Sequence, residues 1–152
     1  MTVLVLGGAS DRFGTAFDEY RSTLPGSTWT TLGGMSGTWT SDPWQQICSA
    51  DVVITHAGQG SIADVAAARR PAVVIPQPRP FDEQLVTAQV LQKHRLAVVA
   101  GPHSDLRAVP ALVTHARDTD TQRWRRWQTD GAAGRAAAAI EATAQRCKGV
   151  TS

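Results

Sequence analysis

Very little in this chain of 152 residues serves metal, disulfide or membrane chemistry. There are two cysteines, Cys48 and Cys147, far apart and outside any metal-ligand spacing. They make no disulfide framework, and a reduced, cytoplasmic setting is expected. The histidines, at 56, 94, 103 and 115, are scattered, so His56 has no second His or Cys at ligand spacing. No apolar run approaches the roughly 18–20 residues that a membrane helix needs. The amino end, Met1 to Gly8, has neither the basic flank nor the length of a signal peptide and reads as a first strand. Internal repeats, linkers and low-complexity tracts are missing apart from an alanine-rich stretch near the carboxyl end. A net charge of +2 calls for no polyanionic partner and no nucleic acid, although Arg123 to Trp127 form a local basic-aromatic cluster. The Asp118-Thr119-Asp120 triplet follows no strand, so it fits a capped helix start better than a metal motif.

What is present fits one α/β domain over residues 1–152: a Rossmann-like parallel sheet with helices on both faces. The composition, 42% hydrophobic, suits a globular core. Residues 2–6 form a continuous apolar run of the kind found in central parallel strands. A Gly-rich loop follows. Phe13, Phe17, Tyr20 and Leu24 then recur at helical spacing until Pro25-Gly26. Residues 27–32 read as a second strand, and Pro43 opens a short helix over 43–48. Leu96 to Ala100 make a late strand, a helix is expected over about 110–117, and the tail from Gly131 to Lys148 is helical.

The chain is organised around residues 51–84. Asp51 to Thr55 is a short β-branched strand that stops at His56-Ala57-Gly58-Gln59-Gly60-Ser61. Ile62, Val65 and Ala66 then mark a helix, Ala72 to Ile75 a second buried strand, and Asp82 the start of another helix. This strand, turn, helix, strand order makes parallel neighbours, and their carboxyl ends are where such sheets bind ligands. The turn is suited to anions. Gly58 and Gly60 are expected to admit close backbone approach and positive φ. The helix behind them points free N–H groups and a positive dipole end at the occupant, for which a diphosphate is the natural fit. Three prolines, Pro76, Pro78 and Pro80, stiffen the loop before Asp82.

Several of these residues occur in a known order: the strand Asp51–Thr55, His56-Ala57-Gly58, Ser61 three residues on, Asp64 three further, Pro71, the Pro76-ended strand, and Asp82-Glu83-Gln84. Over about residues 45–100 the chain resembles the carboxyl-terminal, donor-binding domain of GT-B glycosyltransferases, in particular the MurG-like family 28. The resemblance implies a donor site for a UDP-sugar, with UDP-GlcNAc one case, and inversion without a metal or other cofactor. It implies that Gly8 and Ser10 in the first loop face the donor diphosphate, together with His56, Gly58, Gln59, Gly60 and Ser61. A charged His56 adds attraction there. Asp64, where relatives usually carry Glu, is implied to hold the ribose hydroxyls, Trp39 to lie by the nucleobase, and Asp82 and Gln84 to orient the sugar. Plainer roles stand beside these: Ser10 or Asp11 as a helix cap, Asp82 as an N-cap, Trp39 as core packing. Trp124 and Trp127, three apart, are candidates for packing across a domain boundary.

The general base is not in the chain, because in this family it comes from an acceptor-binding half. That half is either a missing domain or a partner subunit, membrane-bound in the two-subunit members. The chain is therefore expected to have little activity alone. Two other classes stay open. Gly58-x-Gly60-x-x-Ala63 also fits the dinucleotide fingerprint of NAD(P)-binding domains, although the next strand ends in Ile75-Pro76-Gln77 rather than an acid. A non-catalytic sugar-nucleotide-binding protein has the same binding residues.

Overall fold

The computed structural model describes residues 1–7, 24–33, 37–101 and 106–148. The expected Gly-rich loop with Gly8 and Ser10, and the body of the helix expected after it, lie outside the described residues. The strands are β1 (Thr2–Gly7), β2 (Thr28–Gly33), β3 (Val52–Thr55), β4 (Ala72–Val74) and β5 (Val98–Val99). All pair in parallel, in the order β2-β1-β3-β4-β5. The helices are α1 (Trp44–Ser49), α2 (Gln59–Ala68), α3 (Glu83–Lys93), α4 (Val109–Arg117) and α5 (Ala132–Lys148). Shorter 3₁₀ turns cover Pro80–Asp82, Leu106–Ala108 and Thr121–Trp127.

The central strands alternate between two buried faces, as a pleated strand must. Leu4, Leu6, Val53, Ala72 and Val74 pack with Ile47 of α1, Ile62 and Val65 of α2, Leu91 of α3 and Trp124. Val3, Val5, Val52, Ile54 and Val73 pack with Val109, Val113 and Ala116 of α4. Helices therefore cover both faces, as expected, and the apolar runs are continuous because neither face meets water. From β1 the sheet continues to β2 on one side, and from β3 to β4 on the other. The adjacent ends of β1 and β3 are thus a topological switch point, the place where sheets of this kind bind ligands.

Two expectations are corrected here. Trp124 does not pack across a domain boundary. It is buried in this core, its indole N–H donating to the Arg70 carbonyl at 2.9 Å. Trp127 meets it edge-on, with ring centroids 6.5 Å apart. The late strand is also shorter than expected, two residues rather than five, and Ala100 continues the pairing with one N–H bond to the Val74 carbonyl. The Asp120 carboxylate caps its 3₁₀ turn by accepting from the Gln122 N–H at 3.0 Å, the structural role expected of it. In α5, by contrast, every residue from Ala132 to Cys147 is exposed.

Candidate functional site at the switch point

A cavity of about 180 Å³ lies over the ends of β1 and β2, on one side of this switch point. Its floor is the ends of two strands, Leu6-Gly7 and Leu32-Gly33, and its walls include Trp39, Ile47, Ser61 and Asp64. Gly33 sits at φ 68°, and a Cβ there would lie 2.9 Å from the Gly7 carbonyl oxygen, so glycine keeps the floor closed. Trp39 is placed by backbone pairing next to it: Gly33 N–H donates to Thr38 at 3.1 Å and Thr38 N–H to Thr31 at 3.0 Å. Its side chain is 80% exposed, so it is not core packing. Asp64 lines the same cavity from the second turn of α2, its carboxylate exposed and unpaired among the described residues.

The turn before α2 supplies donors. Gly58 is the N-cap and no side chain caps the helix, nor does any acid lie in its first turn. The first intrahelical bond runs from Ile62 N–H to the Gly58 carbonyl at 3.0 Å, which leaves the N–H groups of Gln59, Gly60 and Ser61 without helical acceptors. Gly60 has open space where a Cβ would stand. The positive φ expected of the two glycines is corrected: Gly58 has φ −71° and Gly60 is helical. Gly58 is required for a different reason. A Cβ on it would lie 2.4 Å from Cε1 and 2.7 Å from Nδ1 of His56.

His56 folds its ring over that glycine. Its Nδ1 accepts from the Gly58 N–H at 2.9 Å, so the proton of the neutral ring sits on Nε2. Burial pushes the imidazole pKa below its ordinary value, and the nearby positive charge of Arg79 pushes the same way. The expected charged imidazole is therefore corrected: His56 is a neutral ring that presents an N–H donor.

Gln84 also differs from its expected place. It is 3% exposed, and its Oε1 accepts from two backbone donors, Ala57 N–H at 3.2 Å and Gln77 N–H at 3.0 Å. It ties the loop after β3 to the loop after β4. Gln59 likewise donates to Thr87 Oγ1 at 3.1 Å, and Thr87 donates to the Glu83 carbonyl at 2.9 Å. Asp82 takes the N-cap position of α3 but makes no cap bond, leaving an exposed carboxylate. It and Phe81 both have positive φ, 54° and 61°, rare for side-chain-bearing residues. Of the expected residues, the cavity thus takes Ser61 and Asp64 together with Trp39. His56, Gly58 and Gly60 lie where the turn leads into α2, and Gln84 and Gln59 tie that turn and helix to the loop after β4 and to α3. Sequence reasoning missed Arg79 and Gln77. Their signal was a lone charged residue set between Pro78 and Pro80 on the loop after a buried strand.

The profile described as "Glycosyltransferase family 28 C-terminal domain" matches residues 38–121, more than half of the chain. The chain belongs to this family. It is 36% identical over 66 residues to a UDP-N-acetylglucosamine–N-acetylmuramyl-(pentapeptide) pyrophosphoryl-undecaprenol N-acetylglucosamine transferase from Rubrobacter xylanophilus, covering 43% of this chain and 20% of the relative. In three dimensions it is similar to the kitacinnamycin glycotransferase (TM-score 0.69, 22% identity, 92% of this chain and 42% of that one). It is similar as well to Acinetobacter baumannii MurG (TM-score 0.58, 20% identity, 81% of this chain and 43% of that one). These likenesses show the fold, one Rossmann-like half of the GT-B glycosyltransferases. The chain spans a fifth of the curated relative and about two-fifths of the solved enzymes.

Proposed function

We propose that this family 28 domain binds the UDP-sugar donor of an inverting glycosyltransferase, and that it works with a separate acceptor-binding half. The observation that carries this is the switch-point cavity, in which Trp39, Ser61 and Asp64 meet the ends of β1 and β2 beside the free amides of α2. An indole wall suits a nucleobase. A carboxylate accepts from two adjacent ribose hydroxyls at once. The α2 amides, Ser61 and the His56 Nε2–H then face the diphosphate, and they stabilise the charge that grows on departing UDP without a metal. Asp82 orients the sugar so that the acceptor attacks the anomeric carbon from the side opposite the diphosphate.

The acceptor-binding half supplies the general base. Helix α5 supports such a partner: its residues from Ala132 to Cys147 stand exposed, Ile140 at 70%. Helices in proteins draw most of their stability from packing one face on another body, so docking on a second body would steady it. We place the complete enzyme in the cytoplasm, with any membrane contact carried by the acceptor half. The chain alone is expected to transfer no sugar.

Calorimetric titration of the purified chain with UDP, UDP-GlcNAc, TDP-glucose and NAD tests the reading. Saturable UDP binding that weakens in Asp64→Ala and in Ser61→Ala is the expected result. Binding of NAD with no response to UDP overturns it.

A further inference from the structure

The Pro-rich loop after β4 carries a cation that the donor-site reading does not use. Arg79 is exposed, and one of its guanidinium nitrogens, Nη2, donates to Gln77 Oε1 at 3.4 Å. Among the described residues no carboxylate pairs with it, even though Asp82 and Glu83 follow within a few residues. The fork therefore keeps most of its donors free. Arg79 does not wave at the end of a loose loop. Gln77 is buried at 6% exposure and its backbone N–H is pinned to Gln84, as is Ala57 next to His56. The Gln77 Nε2 group is a buried donor with no partner among the described residues. Positive φ at Phe81 and Asp82 shows a loop held in a costly shape, as at many ligand clamps. Arg79 is also near enough to His56 to disfavour its protonation. The Gln84 side-chain oxygen thus ties the loop that carries Arg79 to the loop that carries His56, and among the described residues no carboxylate is paired with the guanidinium.

We infer that Arg79, braced by Gln77 and standing beside His56, binds an oxyanion of the donor. Such a group has two sources, the second phosphate of the nucleoside diphosphate or a carboxylate on the transferred sugar, as in a uronic acid. A planar fork matches either one in a bidentate grip. The inference rests on the donor-site reading and adds to it a residue that selects what the site accepts.

The full chain is titrated with UMP, UDP, UDP-GlcNAc and UDP-glucuronate, as wild type and as Arg79→Ala, Arg79→Lys and Asp64→Ala. Loss of one charge-assisted pair lowers affinity by about tenfold or more. A phosphate contact predicts that loss in Arg79→Ala for UDP and both sugar nucleotides, with UMP unchanged. A carboxylate contact predicts it for UDP-glucuronate alone. Arg79→Lys keeps the charge without the fork and falls between. Unchanged affinities in Arg79→Ala, with UDP weakened in Asp64→Ala, overturn the inference and leave the donor site standing. An equal loss for every ligand, UMP included, overturns it too, because that is the mark of a disordered loop. No UDP binding by the wild type overturns both.

Discussion

The two walls of the switch point use polar residues in opposite ways. On the α2 side, Asp64 is an exposed carboxylate and Ser61 and Trp39 line an open cavity. On the α3 side, Gln84 and Thr87 are buried, and Gln84, Thr87 and Gln59 spend their side-chain groups on neighbours. One wall offers groups to a ligand, and the other spends them on holding loops in place. The difference is one of solvation. A buried amide oxygen must find donors, because leaving it or its partners unpaired costs more than the bond itself returns. An exposed carboxylate has water until a ligand displaces it. Residues of one motif therefore divide into binding and bracing according to where the sheet sets them.

The largest effect is expected where bracing is removed. Gln84→Ala orphans two buried N–H groups, on Ala57 and Gln77. At about 1–3 kcal/mol each, stability should fall by about 2–6 kcal/mol, read as a clear drop in thermal or denaturant midpoint. Asp82→Asn, two residues earlier, removes a charge that caps nothing while keeping a side chain that tolerates the positive φ, and should stay within about 0.5 kcal/mol of wild type. Equal losses in the two variants would erase the distinction between the walls. Next comes the ligand side. Asp64→Ala should keep its stability yet lose about tenfold or more in UDP affinity by calorimetry. Gly58→Ala is a smaller disturbance at the boundary between the walls. Its Cβ drives the His56 ring off its 2.9 Å contact, at about 1 kcal/mol. A crystal structure of that variant with His56 unmoved would contradict the account of why glycine is there.

Much of this was legible beforehand, for identifiable reasons. Strands β1, β3 and β4 announce themselves because both of their faces are buried, so nearly every residue is apolar. The turn at His56 to Ser61 could be placed because its glycines interrupt an otherwise apolar strand and helix. Strand β5 is shorter than its sequence suggests: Leu96 and Ala97 are buried and look strand-like, yet the pairing begins only at Val98 and runs through Val99 to one bond from Ala100. The division between the walls could not be read, since Asp64 and Gln84 look alike as polar residues near a helix start. Nor could the neutral state of His56, which depends on a ring folded onto Gly58 and a charge twenty-three residues further along. Gly8 and Ser10 lie outside the described residues and are carried by the family resemblance alone.

His56 joins the two walls, and its titration gives the finest test. Burial first, and Arg79 second, hold its pKa below the ordinary 6.5. A group whose folded pKa is depressed contributes stability that is fully present above the unfolded value and lost as pH falls through the folded one. Wild-type stability should therefore be flat above about pH 6.5 as far as His56 is concerned, and decline on acidification below it. In His56→Gln, which cannot titrate, this share of the decline should vanish. Ring-proton NMR should place the His56 midpoint below the ordinary 6.5. In Arg79→Ala the midpoint should move part of the way back up, because the charge is gone while the burial remains. A midpoint unmoved by that substitution would mean that Arg79 stands too far from the ring to share a ligand with it.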